Sequence, residues 1–416
     1  MNPSFTDLRD LLQGFVHAMD LISLEVQYHH EQVAYLSYRI AKQLDLPDQT
    51  VRRIVFGALL HDVGSVLMGS NLSLVELEND PHLLAKNSGA FLQILPQTRK
   101  LAPIVRCCQS SYPVSLRLFS AVKEVLYFAQ IIHLADKVSL CIQPGITILN
   151  QAATIRERIE ARKSEFHPDV TNAFLEVARQ ESFWMDLVLR PNAFLDFLPA
   201  SNPLSLEETL SMTEIMSLII DFRSPFTAMH SAGVAASAEE LAKITGMSSS
   251  EQLMMRIAGN LHDIGKLRIP KEILEKPGKL TDEEFNVMKE HTYYTTMFLK
   301  DIKGFEQISQ WAGYHHEKLN GKGYPFHLTA DQLPLGSRIM ACADIFSAVA
   351  EERPYRKGMD KDQVIRVLKD NVTQGALSPI IVELLLDHYD AINEKRDAAS
   401  RIAGRRYFES TSKQDT

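Results

Sequence analysis

Apolar residues recur at three- and four-residue intervals over long stretches of this chain, with prolines and glycines scattered between them, a pattern that predicts helices rather than strands. After His230 come Val234, Ala238 and Leu241; after His29 come Val33, Leu36, Ile40 and Leu44. In both places the periodicity sets a histidine on the buried face of its helix. The resemblance between the two stretches continues. GALLHDVGSV at 57–66 echoes AGNLHDIGKL at 258–267, and the spacing from His29 to His61 is 32 residues, as it is from His230 to His262. LADKV at 134–138 stands where CADIF at 342–346 stands later, and HPDVTNAFLEV at 167–177 parallels LSPIIVELLLD at 377–387. Recurrence in the same order implies an internal duplication. The expected architecture is all-α: two tandem helical domains over 1–200 and 205–400, joined through the proline-containing stretch near 195–210, with a polar tail at 401–416.

Composition adds mostly exclusions. A chain of 416 residues is long enough for two or three domains. Its 45% apolar and 23% charged content are globular values. Net charge is −8, so no general nucleic-acid binding is expected, and an anionic ligand needs a local basic pocket. No apolar run reaches the roughly 18 residues of a membrane span, and the N-terminus has no basic segment leading into an apolar one. Cys107, Cys108, Cys141 and Cys342 show no CxxC spacing. A reducing, cytoplasmic setting is therefore expected.

Candidate chemistry gathers in the second half. His262 and Asp263 are adjacent, Lys266 follows closely, and HHEKLNGKGYP at 315–325 supplies a second adjacent pair, His315 and His316. With His230, His291 and Asp344 there is enough imidazole and carboxylate for two metal ions. That mixed nitrogen and oxygen set suits iron or manganese better than zinc. The ordered series continues with IPKEILEKPGKLTDEEF, Gly323-Tyr324-Pro325 and RPYR at 353–356. Over about 205–395 the chain resembles the HD-GYP family of bacterial phosphodiesterases, which linearise cyclic dinucleotides at a metal centre.

The resemblance implies roles for individual residues. His230, His262, Asp263 and Asp344 would hold one divalent ion and His291, His315 and His316 the other, with Asp263 bridging. Lys266, four residues after His262, would share its helical face, bind a phosphate oxygen and stabilise charge. Asp263 and Lys266 are thus the catalytic candidates. Tyr324 would line the substrate cleft, and Arg353 and Arg356 would fork onto phosphate. Two departures stand out. Phe226 occupies the place where some members carry a glutamate for a third metal, and Ser347 stands where a second aspartate is usual. Cyclic di-GMP, opened to pGpG and onward to GMP, is the default substrate; 3′,3′-cyclic GMP-AMP is the alternative, since some tandem relatives act on it. A nucleotide receptor that no longer cleaves, or a partner of diguanylate cyclases through the GYP loop, is the competing class, and the complete ligand series with Lys266 favours an enzyme. An HD-type hydrolase of mononucleotides would leave the GYP loop and RPYR unexplained.

The first half lacks most of this. Ser65 replaces Lys266, Cys107-Cys108 or Cys108-Gln109 falls where the histidine pair would be, and His82 is the nearest residue to His291's position. His29, His61, Asp62 and Asp136 remain, enough at best for one weakly held ion. The first copy is therefore expected to be degenerate, kept for packing, for homodimerisation or for sensing.

Overall fold

Those periodic stretches fold as helices. The structure, a computed structural model, describes residues 5–20, 28–64, 81–94, 98–118, 122–197, 203–223, 229–351 and 358–412. Among them the only sheet is a two-residue pairing of β1 (Thr6–Asp7) with β2 (Pro203–Leu204), antiparallel, with Thr6 opposite Leu204. The protein is all-α, and no described helix is long and apolar enough to cross a membrane.

The described residues divide into two compact units, one drawn from Met1–Ala18 and Pro203–Thr411, the other from Met19–Asn202 and Ser412–Thr416. The start of the chain thus packs in the C-terminal unit, where the sequence reading had given it to the first domain. There Phe5 lays its ring 5.9 Å from Phe305, and Thr6 Oγ1 donates to Lys303 O at 2.7 Å. A strand of two residues has no periodicity to read, so the pattern could not reveal it. In the same unit lies α1 (Leu8–Asp20) as far as Ala18.

The N-terminal unit holds α2 (His29–Gln43), α3 (Asp48–Leu59), α4 (Pro81–Ile94), α5 (Ala102–Cys107), α6 (Tyr112–Leu118), α7 (Lys123–Ser139), α8 (Ile148–Ala161), α9 (Pro168–Val177) and α10 (Glu181–Leu189). The C-terminal unit continues with α11 (Leu206–Arg223), α12 (His230–Ile244), α13 (Ser249–Leu261), α14 (Lys271–Leu274), α15 (Asp282–Lys300), α16 (Glu306–Gly313), α17 (Leu335–Ala350), α18 (Lys361–Thr373), α19 (Pro379–Asp387) and α20 (Tyr389–Ser412). The repeated sequence becomes repeated structure. Helices α2 and α12 each begin on a histidine, α3 and α13 each end just before a His-Asp pair, and α7 and α17 each carry an aspartate.

Val33, Leu36 and Ile40 on α2 are fully buried, as are Val234, Ala238 and Leu241 on α12. Leu44, at the end of the first series, caps α2 and is only half-buried. Reciprocal side-chain and backbone hydrogen bonds fix helix starts at Ser205 with Glu208, Ser248 with Glu251, Thr281 with Glu284, and Asp360 with Gln363. Helix α13 lies against α12 closely enough that a Cβ on Gly259 would meet Ala235 Cα at 2.5 Å. The stretch expected as a polar tail from 401 is instead helical to Ser412. Its helix α20 buries Arg396, Ser400 and Ala403, and Ser400 Oγ donates to Met229 O at 3.0 Å just ahead of α12.

Candidate metal centre

Helix α13 ends at Leu261, so His262 caps it and Asp263 begins a tight 3-10 turn over Ile264–Arg268. Lys266 therefore does not share a helical face with His262, as its spacing had suggested. It is the turn that folds Lys266 back, its Nζ 2.6 Å from Asp263 Oδ2. Gly265 makes the turn possible, because a Cβ there would sit 1.9 Å from His291 O on α15. Thr295, one helical turn beyond His291, ties the two segments together: it accepts from Gly265 N at 3.1 Å and donates to His262 O at 3.0 Å.

The residues singled out from the sequence converge. His230 Nε2 lies 3.0 Å from Asp344 Oδ1, and His262 Nε2 lies 3.3 Å from Asp263 Oδ2. The other oxygen of Asp263 faces His291 Nε2 at 3.5 Å and His315 Nε2 at 3.9 Å, and His316 Nδ1 is 3.9 Å from Asp344 Oδ2. Three ligand groups result: His230 with His262 and Asp344, His262 with Asp263 and His315, and His291 with His315 and His316. His262, His291 and His315 each donate Nδ1–H to the carbonyl three residues earlier, on Gly259, Met288 and Ala312, which leaves Nε2 free to ligate. All but His316 are buried; its side chain is 31% exposed and marks the open side.

The electrostatics suit cations. Burial alone would raise the Asp263 carboxyl, but His262 and Lys266 outweigh it and hold it well below the usual range. Burial pushes His291 down to about 3 and His315 well down, so both are neutral ligands at ordinary pH. His230 behaves oppositely: burial opposes its charge, yet Asp344 and Glu351 raise it to about 9. Buried His262 Nε2 and Asp263 Oδ1 have no hydrogen-bond partner, an arrangement that a bound cation would complete. Divalent ions therefore fit the residues present.

Sequence reasoning missed Glu351, whose Oε2 is 3.4 Å from His230 Nδ1. It lies seven residues after Asp344, at the residue that caps the end of α17, a spacing that could have found it. Glu317 was also missed. Buried beside the histidine pair, it accepts from Phe326 N at 2.7 Å and Leu328 N at 3.0 Å and so holds the GYP loop. In that loop the Tyr324–Pro325 peptide is cis, and the Tyr324 ring stands 5.0 Å from that of His316. Burial, then Asp344 and Asp263, push the Tyr324 phenol up, so it stays a donor. Beside it opens a cavity of about 220 Å³ lined by Phe285, His316, Lys318, Tyr324, Ile345 and Leu377. Ser347 is buried, and its hydroxyl supports none of the ligands by hydrogen bond. Phe226, Arg353 and Arg356 lie outside the described residues.

A family model for the HD domain matches residues 214–378, which contain every one of these ligands. A 3′3′-cGAMP-specific phosphodiesterase 1 of Vibrio cholerae is 27% identical over 394 residues, covering 91% of this chain and 91% of that protein. Residues 214–378 are thus an HD domain. Two further relatives match over shorter stretches. Phosphodiesterase 3 of the same organism, also 3′3′-cGAMP-specific, is 40% identical over 37% of this chain and 34% of its own length. A cyclic di-GMP phosphodiesterase of Thermotoga maritima is 34% identical over 42% of this chain and 47% of its own. The crystal structure of a cyclic GMP-AMP specific phosphodiesterase of Vibrio cholerae shares the fold, with a TM-score of 0.63 at 23% identity over 93% of this chain and 98% of that one.

The N-terminal unit keeps its four candidate residues together. His29, His61, Asp62 and Asp136, all buried, bring one ligand atom each to within 4.8 Å of one another. What lies beside them differs from the HD-GYP centre. Ser88 Oγ accepts from Gly64 N as Thr295 accepts from Gly265, which makes Leu84, four residues earlier, the counterpart of His291. His82 instead meets Ser110 Oγ at 3.1 Å. Gln109 Nε2 donates to Asp62 Oδ1 at 3.4 Å, and Cys108 is fully buried nearby. Ser65 lies outside the described residues.

Proposed function

We propose that this cyclic dinucleotide phosphodiesterase works through its C-terminal unit and that its substrate is 3′,3′-cyclic GMP-AMP, opened to the linear dinucleotide. One observation carries the assignment of the site: seven metal-ligating side chains meet around Asp263 with buried ligand atoms left unpaired. His230, His262, Asp263 and Asp344 would hold one ion and His291, His315 and His316 the other, with Asp263 giving one oxygen to each. Iron or manganese suits this set. When bound, a pair of divalent ions supplies hydroxide near neutral pH and neutralises charge on the phosphoryl oxygens.

The chain's own groups do the rest. Lys266 keeps its ammonium on Asp263 and presents positive charge to a non-bridging phosphate oxygen as the bond breaks. Tyr324 and Phe285, ring centroids 6.0 Å apart, offer an aromatic wall for a base. Lys318, at the cavity wall, offers a cation for the remaining phosphate, and the family resemblance would add Arg353 and Arg356 of RPYR.

Substrate choice rests on the extent of the resemblance. A relative that matches along 91% of this chain is named for 3′3′-cGAMP, whereas the cyclic di-GMP phosphodiesterases compared match stretches of 140 to 175 residues. Cyclic di-GMP, the default from the sequence, remains the second reading because those shorter matches reach 34–37% identity. Guanine and adenine differ at the six-position, an acceptor oxygen against a donor amine, so one buried hydrogen bond separates them. Measuring kcat/KM for both nucleotides at equal manganese loading decides the matter. A preference of tenfold or more for the hybrid is expected, and the reverse preference would return the assignment to cyclic di-GMP.

A further inference from the structure

A histidine that ligates through Nε2 needs an acceptor for its Nδ1 proton, which fixes both tautomer and ring orientation. His262, His291 and His315 find one in the carbonyl three residues earlier, at 2.8, 2.6 and 2.6 Å. His230 cannot copy them. It is the first residue of α12, so no earlier turn of its own helix lies behind it. Its buried Nδ1 has no hydrogen bond of ordinary length among the described residues, and the acceptor that faces it is Glu351 Oε2 at 3.4 Å.

The N-terminal unit meets the same problem with different residues. His29 is likewise the first residue of α2, and its Nδ1 lies 3.1 Å from Ser139 Oγ. That hydroxyl gives its one proton to Gln32 Oε1 at 2.8 Å, so toward His29 it can only accept. His29 Nδ1 therefore carries a proton. Ser139 comes three residues after Asp136, as Ser347 comes three after Asp344. In the C-terminal unit, however, Gly233 stands where Gln32 stands, which removes the serine's own acceptor. Buried Ser347 Oγ has no hydrogen-bond partner among the described residues. Support for His230 comes instead from one turn further on. Glu351 N donates to Ser347 O at 3.0 Å, which sets the carboxylate just past the end of α17. Glu351 is 4% exposed, and a carboxylate so buried persists only where its surroundings compensate it.

We propose that Glu351 is a positioning residue. It accepts the Nδ1–H of His230, holds the ring in one tautomer and one rotation, and so aims Nε2 at the ion that His230, His262, Asp263 and Asp344 would share. It belongs to none of the ligand groups itself. The proposal rests on His230 being a ligand, as assigned above.

The test uses the full chain, stripped with chelator and titrated with manganese, with bound ions counted and kcat and KM measured alongside. Glu351→Ala should weaken one of two manganese ions by roughly 10- to 100-fold. The kcat lost at limiting manganese should return at saturating manganese, with KM unmoved. Ser347→Asp/Glu351→Ala, which puts a carboxylate at the position Ser139 holds in the other unit, should regain most of the affinity. Unchanged affinity in Glu351→Ala, or a loss that Ser347→Asp does not reverse, would overturn the proposal. A same-length pair covers the chance that Glu351→Ala does not fold. Glu351→Gln keeps an acceptor oxygen and Glu351→Met does not, so the methionine variant should bind manganese more weakly; equal affinities would count against the assignment. His230→Ala separates the two levels of the argument. If it keeps full affinity, the ligand assignment fails and this role with it; if it loses the ion while Glu351→Ala keeps it, only the role of Glu351 fails.

Discussion

Glu317 is a buried carboxylate whose oxygens receive two backbone N–H groups of the GYP loop. Glu317→Ala leaves both donors unpaired and should cost roughly 2–3 kcal/mol, visible as a lower denaturation midpoint. KM should rise more than kcat falls, because the loop lines the cavity and does not ligate. Asp263→Ala is the opposite case: turnover should vanish and bound metal should drop, while His61→Ala/Asp62→Ala should leave turnover largely intact. A folded but inactive His61/Asp62 variant would overturn the assignment of the reaction to the C-terminal unit. His133 gives a pH signature. Burial, then Lys137, lower it to about 4 from an ordinary value near 6.5. Between those values the unfolded chain binds the extra proton, so stability falls as pH drops from 6.5 toward 4, by up to roughly 3 kcal/mol. Urea titrations at pH 7.5 and 5, with chelator throughout, should show that gap shrinking in His133→Gln; an unchanged gap would refute it. At this scale the ligands were legible because histidine and aspartate pairs are rare and ordered. Glu317 and Glu351 were not, since a lone acidic residue looks the same whether it is buried or solvated.

Helix boundaries decide where those side chains point. The 32-residue spacing that joins His29 to His61 and His230 to His262 exposed the paired helices from sequence alone, because both copies must bury the same faces. The turn after α13 was not legible. Lys266 four residues after His262 reads as one more helical turn, and only the close approach of α15 to Gly265 explains why the helix stops. Gly265→Ala should therefore act at a distance from its own side chain. The added methyl collides with His291 O and must displace α15, and with it one ligand. A shift of about 1 Å is enough to lower kcat on the order of 100-fold, with loss of metal from the His291 side. Near-normal kcat with full metal content would show that α15 yields without moving His291.

The whole molecule repeats one helical pattern twice, with the larger set of candidate ligands in the second copy. Composition and periodicity made the two bundles legible, but not that residues 5–7 belong to the later one. The full-chain double substitution Phe5→Ala/Thr6→Val removes a ring contact and the hydrogen bond to Lys303 O. It should destabilise the C-terminal unit by on the order of 2–4 kcal/mol, read as a lower melting temperature of the manganese-loaded centre. An unchanged melt would make the β1–β2 pairing dispensable. That pairing also has a consequence for synthesis. Thr6 leaves the ribosome long before its partner Leu204, which emerges only after the entire N-terminal bundle has been made. At about 5–20 residues per second the strand waits on the order of ten seconds or more with its edge open. In that interval the N-terminal bundle can fold between two ends that are not yet joined. The second bundle then completes around a strand translated long before it, so a segment made ahead of the first bundle is locked in place after it.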